Sequence, residues 1–174
     1  MTIPTFQEIM LPLLKIASDG EVHNIHSATL NLAELFKLTA DELEVLLNSG
    51  QPRFLNRVGW AKTYLKQAGL LMYPSRSHFQ ITQLGKDELN KNPQEINMTY
   101  LKQFPLYVEF RNRTREATDD EDQEEILGEL TPEEALDNAY QKIRGDLSSE
   151  LIDYVLKISP SKFEELVAKL LVAM

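Results

Sequence analysis

A mainly α-helical (α+β) fold with one small two-stranded hairpin, followed by a separate helical segment, is what the sequence predicts, on three observations. Apolar residues recur at helical spacing through most of the 174 residues. Two short strand-like runs flank the polar turn Pro74-Ser75-Arg76-Ser77. A dense acidic run without apolar residues, Asp119-Asp120-Glu121-Asp122-Gln123-Glu124-Glu125, divides the chain in two.

The elements follow in order. Phe6, Ile9, Met10, Leu13, Leu14 and Ala17 make the stripe of an amphipathic helix over 5–17, opened by Pro4, weakened at Pro12 and stopped by Asp19-Gly20. Residues 21–23 read as an extended link, and 25–36 as a second helix with Ile25, Ala28, Leu32 and Leu35 inward. Thr39-Ala40-Asp41-Glu42 is a capping-type start for a short helix through Leu47, ended by Asn48-Ser49-Gly50-Gln51-Pro52. A third main helix runs from about 56 to 68, with Ala61, Tyr64, Leu65 and Ala68 apolar and Gly69 as a left-handed C-cap. Residues 70–73 and 78–81 form the hairpin, and Thr82 caps a helix over 83–89. The aromatic and aliphatic segment 94–110 packs back on this domain, with Pro105 excluding one long helix. After the acidic run, Thr131-Pro132-Glu133-Glu134 combines a capping box with proline at the first helical position; helices follow over 131–146, 149–157 and from Ser159 onward.

Helix, helix, basic helix and hairpin is the plan of a winged helix-turn-helix domain. The organisation is therefore a winged-helix domain over 1–92, a segment packing on it over 93–112, an acidic flexible linker over 113–130 and a helical segment over 131–174.

Charge supports that division. The net charge of −9 resolves into −5 over residues 1–50, +7 over 51–115 and −11 over 116–174. No Asp or Glu occurs between Glu44 and Asp87, and five Arg or Lys lie between Gln51 and Thr82. Charges more than about 8–10 Å apart are screened at physiological salt, so the middle section can attract a polyanion while the ends repel it. Taken alone, a charge run is also what an ordinary solvated face carries. The absence of cysteine excludes a disulfide framework, thiol catalysis and Cys-ligated metals. Residues 1–6 lack signal-peptide features, and no apolar stretch reaches the roughly 20 residues of a membrane helix, which predicts a soluble, cytoplasmic chain with no membrane partner. His23 and His26 lack a third ligand nearby, no glycine-rich phosphate loop is present, and no metal or cofactor site is expected within this chain.

A helix can enter the major groove of a duplex, where Arg or Lys pairs with guanine and Gln or Asn with adenine. Arg57, Lys62, Thr63, Lys66 and Gln67 are suitable residue types on the third helix, and Arg53 and Asn56 at its entrance suit a backbone phosphate. The turn residues Ser75, Arg76 and His78 suit a wing lying along a groove. His78 equally suits a cross-hairpin pairing, and Trp60 and Tyr64 suit the core.

The run Ser49-Gly50-Gln51, Asn56-Arg57-Val58-Gly59-Trp60-Ala61 and Leu65-Lys66-Gln67-Ala68-Gly69-Leu70 resembles the N-terminal domain of Mrr-type restriction endonucleases. Thr2-Ile3-Pro4-Thr5-Phe6, Thr131-Pro132-Glu133-Glu134 and Ile158-Ser159-Pro160-Ser161-Lys162-Phe163-Glu164 fit the same family, in the same order along nearly the whole chain. The resemblance implies a winged-helix recognition domain, a linker and a magnesium-dependent nuclease of PD-(D/E)xK type that cuts foreign methylated DNA. Its metal-binding carboxylate and lysine lie downstream of the helix that starts near Ser159, so the resemblance implies that 131–174 is the start of a truncated nuclease domain, with Glu164 as its one candidate catalytic remnant. The chain is thus expected to be the recognition part of such an enzyme, binding double-stranded DNA with modified (methylated) foreign DNA as its target, without cutting it. The stripe Phe163, Leu166, Val167, Leu170 and Leu171 is a candidate homodimer surface. A stand-alone winged-helix transcriptional regulator and a protein-interaction module remain the competing readings.

Overall fold

The computed structural model describes residues 3–115 and 130–173, in two compact units, Met1–Ala135 and Leu136–Met174. The first unit opens with helix α1 (Phe6–Ile16), started by a capping box in which Thr5 and Glu8 exchange hydrogen bonds. Its stripe of Phe6, Ile9, Met10, Leu13 and Leu14 is fully buried, and that burial holds the helix through Pro12. Strand β1 (His23–Asn24) follows, then α2 (Ile25–Leu35), which Asn24 caps through the amide of His26. The sequence reading of 21–23 as a plain link missed this strand, because two residues carry no periodic signal.

Ala28 and Leu32 of α2 face the core as expected, but Leu35 is exposed. The chain turns there, and Phe36 and Leu38 pack against the core in its place. Helix α3 (Ala40–Leu43) has the predicted Thr39–Glu42 capping box but stops four residues short of Leu47. The chain instead folds back in a bridge between Leu46 and Pro52, with the Arg53 amide donating to the Val45 carbonyl at 2.8 Å. That bridge starts α4 (Arg53–Gln67) three residues earlier than its apolar pattern suggests. Gly69, at φ +78°, terminates it in the left-handed conformation that glycine adopts most easily.

Strands β2 (Leu71–Met72) and β3 (His78–Ile81) form the hairpin. β1 adds to its other side, giving a three-stranded antiparallel sheet in the order β1-β3-β2. Its register pairs His23 with Phe79 and Leu71 with Ile81. Helix α5 (Gln83–Asn90) is capped by Thr82, and its Gly85 sits so close to Leu70 that a Cβ would lie 2.4 Å from the carbonyl oxygen. Pro105 divides the next segment into α6 (Met98–Leu101) and α7 (Pro105–Arg115). Leu101, Phe104 and Tyr107 of this segment are buried in the core of the first unit. Tyr107 is fully buried, and the rings of Phe6, Tyr107 and Phe110 surround Tyr64 at centroid distances of 5.3–6.4 Å.

Helix α8 (Pro132–Lys157) runs without a break where two helices were predicted. Gly145 costs it only about 1 kcal/mol and is not followed by any further breaker. The first turn of α8, through Ala135, belongs to the first unit. Helix α9 (Pro160–Ala173) completes the second unit, and the stripe Phe163, Leu166, Val167, Leu170 and Leu171 is exposed along it. Among the described residues, no helix is long and apolar enough to cross a membrane. The acidic run 119–125, and most of the expected linker, lie outside the described residues.

Candidate nucleic-acid interface

The first unit turns three parts of its positive middle section outward: the side of α4 opposite its apolar stripe, the turn between β2 and β3, and the entrance of α4. Tyr64, Leu65, Ala61 and Val58 anchor α4 in the core, so helical periodicity sends Lys62, Thr63, Lys66 and Gln67 to the other side. Lys66 is exposed, and Lys62, Thr63 and Gln67 are half-buried.

Lys62 and Lys66, one helical turn apart, both reach the ring of Tyr73. Their ammonium nitrogens stand 4.5 and 5.1 Å from its centroid. Neither lysine has a carboxylate within ion-pairing distance among the described residues, and burial pushes Lys62 below the usual lysine range. Two cations held beside one aromatic ring, without a counter-ion among the described residues, make a surface suited to an external anion. Tyr73 was absent from the sequence-derived site. The signal available was an aromatic residue at the start of the hairpin, but only folding brings it over the i, i+4 lysine pair.

The turn between β2 and β3 carries Ser75 and Arg76 exposed. His78 is used internally. Its Nδ1 lies 2.9 Å from the Arg76 carbonyl oxygen and 3.0 Å from Ser75 Oγ, while Nε2 faces Asn24 Nδ2 at 3.5 Å. That arrangement suits a ring protonated on Nδ1, donating to the carbonyl. Together with the Ile25 amide donating to Ser77 O at 2.9 Å, it fixes the turn against the start of α2. Thr63 donates its hydroxyl to the Gly59 carbonyl of its own helix at 2.9 Å.

At the entrance of α4 the structure corrects the sequence expectation for two residues. Asn56 and Arg57 were assigned to DNA, but they retain only 4% and 9% of their exposure. Arg57 Nη1 donates to the carbonyls of Ile3 (2.6 Å) and Pro4 (3.0 Å), Nε donates to Glu134 Oε1 at 2.9 Å, and Nη2 forms an ion pair with the same oxygen at 2.8 Å. Asn56 donates to Gln51 Oε1 (3.0 Å) and to Glu133, and accepts from the Thr131 hydroxyl at 2.8 Å. Thr131 and Glu134 meanwhile form the predicted capping box of α8. Asn56-Arg57 and Thr131-Pro132-Glu133-Glu134 are thus the two halves of one buried clasp. Each half was legible as a motif, but the pairing across some 75 residues was not.

Arg53 stands at the edge of this clasp. Its side chain is 40% exposed, and its Nε lies 3.5 Å from Glu134 Oε1 without a hydrogen bond. His23 is paired with Asp19 at 2.8 Å, and no group of three or more His, Asp or Glu able to hold a metal occurs among the described residues. Glu164 lies exposed on α9, in the second unit.

Residues 6–91, from α1 through α5, match the family model described as the Mrr N-terminal domain. The chain is 30% identical over 183 aligned residues to the type IV methyl-directed restriction enzyme EcoKMrr of Escherichia coli (strain K12), covering 98% of this chain. It spans 59% of that relative's length. No solved structure matches it. The family model and the alignment along the chain agree: the chain carries an Mrr N-terminal domain over residues 6–91.

Proposed function

We propose that the first unit is a winged helix-turn-helix module that recognises double-stranded DNA for an Mrr-type restriction endonuclease, with α4 as its recognition helix and the β2–β3 turn as its wing. The observation that carries this reading is the pair Lys62 and Lys66, held against Tyr73 on the outward side of α4 with no carboxylate partner among the described residues. The order α1-β1-α2-α4-β2-β3, with β1 joining the hairpin, supports it. The contact set is Lys62, Lys66 and Gln67 on α4, Ser75 and Arg76 on the wing, and Arg53 at the helix entrance. Thr63 and His78 shape the surface through internal hydrogen bonds, and Asn56 and Arg57 act inside the clasp.

Phosphate contacts position such a module, while base-edge contacts specify. Lys62, Lys66 and Arg76 are suited to the first role, and Gln67, which can pair with adenine, to the second. The methyl-directed relative makes methylated duplex the first ligand to compare with its unmethylated counterpart. Magnesium belongs to the nuclease that the family resemblance implies. Among the described residues, Glu164 included, no group of three or more His, Asp or Glu forms a cluster that fits it. The chain is proposed to bind without cutting, and the stripe Phe163, Leu166, Leu170 and Leu171 to pair with a second copy.

Duplex binding measured over a range of salt tests the reading. The affinity should fall steeply with salt, and the triple variant Lys62→Ala, Lys66→Ala, Arg76→Ala should flatten the log–log slope by about 0.9 per lost phosphate contact while keeping the wild-type fold. A salt-independent affinity in the wild type overturns it. Nicking of supercoiled plasmid with magnesium would refute the non-cutting assignment.

A further inference from the structure

The clasp joins the proposed recognition helix to the first turn of α8, and one of its cations faces both ways. Arg57 is locked on the inside, with Nε and Nη1 hydrogen-bonded and Nη2 in an ion pair with Glu134. Arg53, four residues earlier and one turn away, shares the same carboxylate oxygen of Glu134 at 3.5 Å. Yet its Nε makes no hydrogen bond, and two-fifths of its side chain is open to solvent at the entrance of α4.

A phosphate oxygen and Glu134 would compete for the same guanidinium. Glu134 is almost wholly buried, and two cations neutralise it. Drawing Arg53 outward leaves the buried carboxylate with Arg57 alone, in a setting where water cannot compensate. Glu134 also closes the capping box of α8 by accepting from the Thr131 amide at 2.9 Å. The same carboxylate that feels Arg53 therefore holds the helix start.

We propose that Arg53 is a coupling residue: DNA phosphate bound at the entrance of α4 draws it away from Glu134 and loosens the Thr131–Glu134 start of α8. DNA occupancy would thereby be read at the beginning of the segment that leads out of the recognition unit. The proposal rests on the DNA-binding reading above. Magnitudes favour loosening over release. Breaking the Arg57–Glu134 pair outright forfeits more than the roughly 5–150-fold effects typical of coupled sites, whereas withdrawing the unbonded Arg53 falls within them.

Amide hydrogen exchange of the full 174-residue chain, with and without saturating duplex, tests this. DNA should lower protection of the amides at 134–137 by roughly 5-fold or more. Arg53→Gln, at a partly exposed position, should bind several-fold more weakly but lose this response even at saturating DNA. Glu134→Gln, which removes the contested charge, should bind DNA and also lose the response. If that variant is unfolded, Arg53→Gln decides. Wild-type binding with protection at 134–137 unchanged or increased overturns the coupling, as does a response that persists in Arg53→Gln. Absence of salt-dependent binding by the wild type instead overturns the underlying DNA-binding reading.

Discussion

Arg57 shows how residue type and residue role separate. An arginine next to an asparagine at the start of a basic helix has the chemistry of a DNA contact, yet its donors are spent on two carbonyls and a buried carboxylate. Arg57→Ala strands Glu134 without its main partner, so a loss of about 3–5 kcal/mol in denaturant unfolding is expected. Tyr107 makes the opposite case. Its hydroxyl is buried without a hydrogen-bond partner among the described residues, and burial pushes its pKa up to about 12. Tyr107→Phe removes the unsatisfied group while keeping the edge-on and tilted ring contacts with Tyr64 and Phe110, and should be neutral or stabilising by about 1 kcal/mol, read in the same assay. Burial alone would raise Glu88, but hydrogen bonds from Lys91 (2.6 Å) and Tyr100 (2.7 Å) outweigh it and hold the carboxyl below its ordinary value of 4.5. A depressed carboxyl adds stability above the unfolded value and loses it as pH falls through the folded one. The stability gap between wild type and Glu88→Gln should therefore be present at about pH 7 and close below about pH 4, as pH-dependent unfolding would reveal.

At the scale of the element, α4 carries the most information. Gly59 lies mid-helix, where glycine costs about 1 kcal/mol relative to alanine, and a Cβ there would meet no atom within 4 Å. Internal packing therefore gives no reason for it, whereas close approach of a duplex would. Gly59→Ala is expected to raise stability by about 0.5–1 kcal/mol and to weaken duplex binding; unchanged affinity would remove Gly59 from the interface. Gly85 at the start of α5 is the contrasting glycine. There a Cβ would collide with the Leu70 carbonyl and with Ile81, so Gly85→Ala should destabilise markedly in thermal unfolding.

For the whole molecule, the exposed stripe of α9 and the long, exposed α8 leave the second unit without a buried core of its own among the described residues. Such a face is expected to associate, and light scattering at tens of micromolar should report a dimer that Leu166→Glu, Leu170→Glu returns to monomer. Short-range signals in the chain were enough to set the helix starts, through Thr39, Thr82 and Thr131, and the hairpin, through its turn residues. They also set the apolar stripes of α1 and α4, because capping, turn chemistry and periodicity act over three to eight neighbouring residues. It took the folded molecule to show that a third strand joins the hairpin, that Tyr73 gathers Lys62 and Lys66, and that Asn56 and Arg57 turn inward. Each of those depends on contacts between segments that local spacing does not link, where burial and charge neutralisation choose the partner.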